Sequence, residues 1–243
     1  MTIDEVYRLV QTFASKDQRG FITPSEFNLL AKQAELELYN KRLSIVKEKA
    51  PTRRSQGIYS ESLSPELARQ DISAFLKIKQ STEDTTNEDS PHLGSSISLV
   101  ADYIESIFTA MDEEHSMSTN IPVDIIEPKD VNQILRSSLV KPSMEYPVAL
   151  IGSGGDSNKV LSIFPESIKR VNIYYYGYEN TPKWNYVTIA GKPVYNNAGS
   201  TQFQISSRVH GELVVKVLEY LGVSIREADV VQYAQANEIK ADS

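Results

Sequence analysis

The chain contains no cysteine. Disulfide bonds, thiolate metal sites and cysteine nucleophiles are therefore excluded, while the compartment is left open. Histidine is scarce: His92, His115 and His210 stand in separate segments without His-x-x-x-His spacing. A metal site would have to be assembled entirely by the fold, and no metal or cofactor is expected. No apolar run approaches the roughly 18 residues of a membrane span, so no membrane partner is expected. The N-terminus carries Asp4 and Glu5 and no long apolar core, which does not read as a signal peptide. Positive charge is also in deficit, with 25 Lys and Arg against 32 Asp and Glu and a net charge of −7. A DNA-binding module usually presents a basic face. This balance argues against wrapping nucleic acid and suits a channel through which DNA slides without sticking. The one basic concentration is Lys41, Arg42, Lys47, Lys49, Arg53 and Arg54. It reads as the solvated end of a helix and its loop, where cations complement the helix dipole. No aromatic residues interleave with it, as stacking on nucleic acid would need.

What is present is an ordinary globular composition. The 243 residues are 40% hydrophobic and 23% charged, enough for one large domain or two small ones with a real core. The first forty residues spell out two helices. Thr2 and Glu5 have capping-box spacing, and so do Thr23 and Glu26, with Pro24 at the first helical position. Ile3, Val6, Val10 and Phe13 form one apolar stripe; Phe27, Leu30, Ala31, Ala34 and Leu38 form another. Gly20 lies between them and can end the first helix. Ser64-Pro65-Glu66 is a further helix start, and the chain turns to strand from Phe75. Residues 81–91 are acidic and polar and read as an exposed loop.

From residue 93 the periods shorten. Strands are predicted around 95–100 and 104–111 with a short turn between them, then at 120–126, 146–152, 159–164 and 169–178. A short helix is predicted from Pro128. In the last strand Val171, Ile173 and Tyr175 alternate with Asn172, Tyr174 and Tyr176, so one face is aliphatic and the other polar or aromatic. A helix is predicted from Ser206 or Ser207 through Leu221, with Gly222 past its end. Ser224 and Glu227 form a third capping box, opening a final helix. The predicted class is α+β, with terminal helices packed together beside a strand-rich, mainly antiparallel middle region. Three regions are drawn: 1–80 helical, 93–206 strand-rich, and 207–243 as C-terminal helices packing back on the N-terminal ones.

The candidates for chemistry are each outweighed by a plainer reading. An EF-hand frame places Ser15 at position one, Asp17 at three, Arg19 at five, Gly20 at six, Ile22 at eight and Glu26 at twelve. An arginine where calcium needs a carboxylate repels the ion. The 152–156 stretch, Gly-Ser-Gly-Gly-Asp, follows a strand but lacks the Gly-Lys-Ser/Thr ending, and a second strand follows, so it reads as a hairpin turn. His210 reads as exposed in the first turn of a helix. The acid pairs Glu88-Asp89 and Glu113-Glu114 lie in polar loops, where neither carboxyl would be shifted as a general acid/base pair requires. No catalytic residue is assigned. Tyr174, Tyr175, Tyr176, Tyr178, Trp184 and Tyr186 form an aromatic cluster, divided between core and a protein interface, with Tyr174, Tyr176, Tyr178, Trp184 and Tyr186 the interface candidates, since such rings are rigid anchors with a polar handle.

Three stretches carry a family resemblance. Residues 4–34 (DEVYRLVQ through ITPSEFNLLAKQA), 159–184 (KVLSIFPESIKRVNIYYYGYENTPKW) and 212–238 (ELVVKVLEYLGVSIREADVVQYAQANE) together make up about a third of the chain, spread from end to end. Their order resembles virion structural proteins of tailed phages, above all the crAss-like podoviruses. The resemblance implies a head–tail connector, a ring or adaptor protein below the portal, and carries no enzymatic activity. It implies as partners further copies in a closed ring (a dodecamer by analogy), the portal protein, other connector or tail proteins, and passing genomic DNA without sequence-specific contact. The implied location is the virion neck or tail, after synthesis in the host bacterial cytoplasm. Two other readings stay open: another tail or capsid-associated virion component, and a carbohydrate-binding or hydrolase module built from scattered acids and the Tyr/Trp cluster. A close, buried carboxylate pair beside Trp184 would favour the last.

Overall fold

A computed structural model describes residues 1–16, 22–47, 64–80, 95–109, 120–153, 159–168 and 170–222. The chain divides into two compact units, Met1–Phe75 with Glu179–Ser243, and Leu76–Tyr178. The class is α+β, with a strand-rich middle whose sheets are antiparallel except for one strand pair.

The first unit is mostly helical. Helix α1 spans Ile3–Lys16 and α2 spans Pro24–Lys47. Both starts are fixed by the predicted capping boxes. The Thr2 N–H donates to Glu5 Oε2 at 2.8 Å, and the Glu5 N–H donates to Thr2 Oγ1 at 3.3 Å. Thr23 and Glu26 repeat the exchange at 2.9 and 3.3 Å. Helix α3, Pro65–Asp71, starts at the N-cap Ser64, whose hydroxyl accepts from the Leu67 N–H at 3.3 Å. Near the other end of the chain a 3₁₀ turn, Ser207–Val209, leads into helix α5, His210–Tyr220. Gly222 ends it at φ 67°, with its N–H donated to the Glu219 carbonyl at 2.8 Å. Helix α5 packs against both α1 and α2, and α3 packs against α2. The buried α5 side chains Leu213, Val214, Val217 and Leu218 sit at the predicted helical spacing. This unit also holds a hairpin, β8 (Tyr186–Ile189) with β9 (Lys192–Tyr195). Its two-residue loop puts Ala190 at φ 50° and Gly191 at φ 77°, the primed turn that matches strand twist.

The second unit is a β-sandwich. Strands β1 (Leu76–Gln80), β7 (Val171–Tyr176) and β3 (Tyr103–Thr109) form an antiparallel sheet in the order β1-β7-β3. Strands β2 (Ser95–Leu99), β6 (Lys159–Phe164), β5 (Val148–Ser153) and β4 (Asp124–Ile126) form the other, with β4 parallel to β5. Helix α4, Val131–Arg136, lies between β4 and β5 in the chain. Val171, Ile173 and Tyr175 of β7, with Ile104 and Ile107 of β3, share one core with Ile97 and Leu99 of β2 and Leu161 and Ile163 of β6. Burying each such side chain contributes roughly 1.5–3 kcal/mol. The aliphatic face of β7 predicted from alternation is therefore the inner face of the sandwich.

Two predicted strands have partners that alternation alone does not specify. Strands β2 and β3 are separated only by residues 100–102, yet β2 joins β6 and β3 joins β7. Beyond β3 the chain turns back along its edge. Val123 donates to the Ile107 carbonyl at 2.9 Å, and Pro122 bridges Phe108. Proline suits that edge position because it has no N–H to donate.

Gly20, the predicted 81–91 loop, residues 154–156 of the predicted 152–156 turn, His92, His115, both predicted loop acid pairs and the predicted final helix from Ser224 lie outside the described residues.

Candidate interaction surfaces

Trp184 is the best-anchored side chain of the helical unit. It is 2% exposed. Its indole N–H donates to Asp4 Oδ1 at 3.0 Å. The Asn28 amide grips the Trp184 backbone on both sides: Oδ1 accepts its N–H at 2.7 Å, and Nδ2 donates to its carbonyl at 3.1 Å. The ring stacks on Tyr7 with centroids 4.2 Å apart, and Tyr186 and Tyr195 flank it at 5.7 and 5.9 Å. Tyr7 in turn packs edge-on against Phe27 and donates its hydroxyl to the Ile22 carbonyl at 3.2 Å. Burial pushes the Tyr7 phenol up from its ordinary pKa. The carboxylate beside Trp184 is Asp4, which also pairs with Arg8 at 2.8 Å.

A second anchor is ionic. Glu35, Arg42 and Asp71 are buried on the same side of the unit as aliphatic residues of α2 and α3. Arg42 forks onto Glu212 of α5, with Nη2–Oε2 at 2.5 Å and Nη1–Oε1 at 3.2 Å. Its Nε lies 3.5 Å from Asp71 Oδ2. Lys41 adds a bond to Glu212 at 3.0 Å. Burial raises the Glu212 carboxyl, but the bonds from Arg42 and Lys41 outweigh it and hold the group below its ordinary range. Glu35 Oε1 accepts the backbone N–H groups of Gln204 and Ile205 at 2.6 and 3.1 Å. These carboxylates and this guanidinium tie chain segments together, which is a structural use of charge.

Two sequence readings are corrected here. Arg42 was assigned to a solvated basic run, but it is 6% exposed. It falls seven residues after Glu35 and four before Val46, so it continues the inward face of α2. His210 was assigned to an exposed first turn, but it is buried, with Nε2 3.1 Å from the Ile205 carbonyl and the ring edge-on to Phe203. Burial pushes its pKa down.

The outward surfaces are different in character. The side of the β1-β7-β3 sheet away from its core carries Leu76, Ile78, Phe108 and Tyr174, in register across the three strands through Tyr176 and Asn172. Ile78 is 60% exposed, and Phe108 packs edge-on against Tyr174. In the loop between α4 and β5, Leu139 is 95% and Tyr146 75% exposed, with Val140 and Met144 also exposed. That loop is nonetheless well tied. Ser137 Oγ accepts the N–H groups of Leu139 and Val140 at 3.2 and 3.1 Å. Ser143 and Tyr146 exchange backbone bonds at 3.3 and 3.2 Å. On the β8–β9 hairpin, Val187, Ile189 and Val194 form an exposed aliphatic face.

The five aromatic residues singled out from the sequence belong to different units. Tyr174, Tyr176 and Tyr178 are in the sandwich; Trp184 and Tyr186 are in the helical unit. Trp184 is spent on its own unit's interior, and Tyr176 is buried although it stands on the outer side of its sheet, paired with Leu76 and Tyr103, whereas Tyr174 and Tyr178 are half-buried and Tyr186 is exposed. Sequence reasoning missed the 137–147 loop, although Leu139-Val140 and Met144 between polar residues and Pro142 were a visible signal of apolar side chains in a turn. Among the described residues, no three His, Asp or Glu side chains gather as a metal ion would require, and no helix is long and apolar enough to cross a membrane. Neither a comparison with protein-family models nor one with curated proteins finds a match for the chain.

Proposed function

We propose that this chain is a structural subunit of a phage virion, a head–tail connector that assembles as a closed ring below the portal, extends the DNA channel and docks the tail. The three stretches that resemble such proteins make up about a third of the sequence, spread from one end to the other. The observation that carries the reading is the set of large apolar side chains held outward on hydrogen-bonded backbone, foremost Leu139, Val140, Met144 and Tyr146. Monomers rarely expose such clusters, and contact with another protein removes them from water. The net charge of −7 fits a subunit past which DNA moves without lasting contact. The function is mechanical and assigns no side chain to catalysis.

The test is negative-stain imaging of the purified chain alone and mixed with the portal protein of the same genome. A ring stacked on the portal, a dodecamer by analogy, is the expected result. A portal left bare at high concentration would overturn the connector role and move the chain elsewhere in the virion or out of it.

A further inference from the structure

Residues 202–206 form a strap held by α1, α2, α3 and α5. The Ile3 N–H at the head of α1 donates to Gln202 Oε1 at 2.8 Å. Glu35 of α2, wholly buried, accepts the N–H groups of Gln204 and Ile205 at 2.6 and 3.1 Å. The Ser206 N–H donates to the Asp71 carbonyl at the end of α3 at 3.0 Å. The last tie comes from α5, whose first residue places His210 Nε2 3.1 Å from the Ile205 carbonyl. A carbonyl only accepts, so the neutral ring carries its proton on Nε2. Nδ1 is then bare, buried and without a hydrogen-bond partner. A second ring proton has no place there: it would make a buried N–H without an acceptor, on a cation removed from water. The charged groups that act on the ring are the amino group of Met1 and the Glu5 carboxylate, both at the head of α1. Burial first, and the Met1 amino group second, disfavour the charged ring; the Ile205 and Met1 carbonyls and Glu5 favour it and are outweighed. The other carboxylates of the strap's surroundings are engaged elsewhere: Glu35 with the strap N–H groups, Asp71 with Arg42, and Glu212 with Arg42 and Lys41.

We infer that His210 is an acid-sensitive latch: a proton on its ring turns the ring out to water and releases the strap, while the Trp184 anchor stays closed. The bond to the Ile205 carbonyl is lost with the ring, and the two N–H groups that Glu35 holds belong to Ile205 and the residue before it. The Trp184 anchor, built from Asp4, Tyr7 and Asn28, contains no histidine. Histidine is the one side chain that ordinarily titrates between about pH 5 and pH 8. The released strap binds one proton more than the closed one. Opening is therefore favoured as pH falls below about 6.5, by up to about tenfold per pH unit. The latch stands on the helical unit alone and is independent of the connector reading.

The test is amide hydrogen exchange in the full chain, corrected for the intrinsic rate at each pH, from about pH 8 to about pH 5. The reporters are the N–H groups of Gln204, Ile205 and Ser206, each bonded only while the strap is closed. Their protection is expected to fall by up to about tenfold per pH unit below about 6.5. It should lie below that of the α2 amides at every pH and be insensitive to low urea, as local opening requires. The native tryptophan emission should hold steady. Strap protection that ignores pH would overturn the inference. So would strap and α2 amides of equal protection, which would mean that only global unfolding frees the ring, and so would an emission shift that follows the strap. His210→Gln, neutral at every pH, is expected to abolish the pH dependence, whereas Glu35→Gln, which keeps an acceptor for both N–H groups, is expected to retain it. The reverse pattern would place the proton on the carboxylate and remove the latch from His210. The parent profile alone can overturn the inference, so the test does not depend on either variant folding.

Discussion

The two units are held together by different means. In the helical unit, segments far apart in sequence are joined by individually specific polar ties. Asn28 and Asp4 hold Trp184 across separations of 156 and 180 residues, Arg42 holds Glu212 across 170, and Glu35 holds the backbone of Ile205 across 170. In the sandwich, one continuous segment closes on itself through strand register and an aliphatic core. The difference follows from connectivity. A discontinuous unit must bring its two pieces together against the entropy of a long intervening chain, and directional anchors specify which surfaces meet. A continuous sandwich needs only alternation and volume, which leaves its outer faces free to carry apolar side chains for other uses.

The strongest way to break this contrast is at Trp184. Trp184→Ala removes the ring and strands the Asp4 carboxylate, and it is expected to destabilise the helical unit by about 3–5 kcal/mol in urea unfolding followed by circular dichroism. Arg42→Ala is expected to cost a similar ~3–5 kcal/mol, because Asp71 and Glu212 lose their common counter-ion while Asp71 stays buried. A cost near zero in that titration would show that the ionic anchor is decorative. In the sandwich, loss should scale with volume instead: Ile173→Val about 0.5–1.5 kcal/mol and Ile173→Ala about 2–5 kcal/mol. The single tryptophan lies in the helical unit, so its fluorescence reports that unit, while circular dichroism reports both. If the units differ as described, Ile173→Ala moves the circular dichroism transition further than the fluorescence transition; coincident shifts would merge them into one cooperative body.

A smaller effect is expected from pH. Burial holds the His210 pKa below its ordinary value, so the unfolded chain takes up a proton at a higher pH than the folded one. Stability is then full above the ordinary histidine pKa of about 6.5 and falls as pH drops from there through the folded pKa. Unfolding midpoints read by tryptophan fluorescence across that window should decline, and His210→Gln should flatten the decline. The smallest effect belongs to Leu139→Asp, whose own stability change should stay within about 0.5 kcal/mol because the side chain touches mainly water.

The helix starts were legible in the sequence because a capping box is local: Thr2 with Glu5, and Thr23 with Glu26, need no information beyond four residues. The inner face of β7 was legible for the same reason, since alternation is a property of the strand itself. Partners were not. Nothing near β2 says that it joins β6 while β3 goes to β7, and nothing near Trp184 names Asp4 or Asn28. The buried charges were hidden by their neighbours: Arg42 sits beside the exposed Lys41, and composition averages over a face that only helical phase separates. The β8–β9 hairpin was missed because its turn is Ala190-Gly191 in place of the Asn-Gly that usually marks such a loop.

One detail of register has a mechanical consequence. Leu76, where the sandwich unit begins, is paired with Tyr176, just before that unit ends. Its two chain links therefore leave from the same end of the β1–β7 ladder. A load that pulls those links apart acts on the ladder one rung at a time, from Leu76↔Tyr176 toward Gln80↔Asn172. Hydrogen bonds taken in sequence resist far less force than the same bonds loaded together along the strand axis. The sandwich is thus attached as a tear strip is attached, yielding rung by rung to tension between its two links.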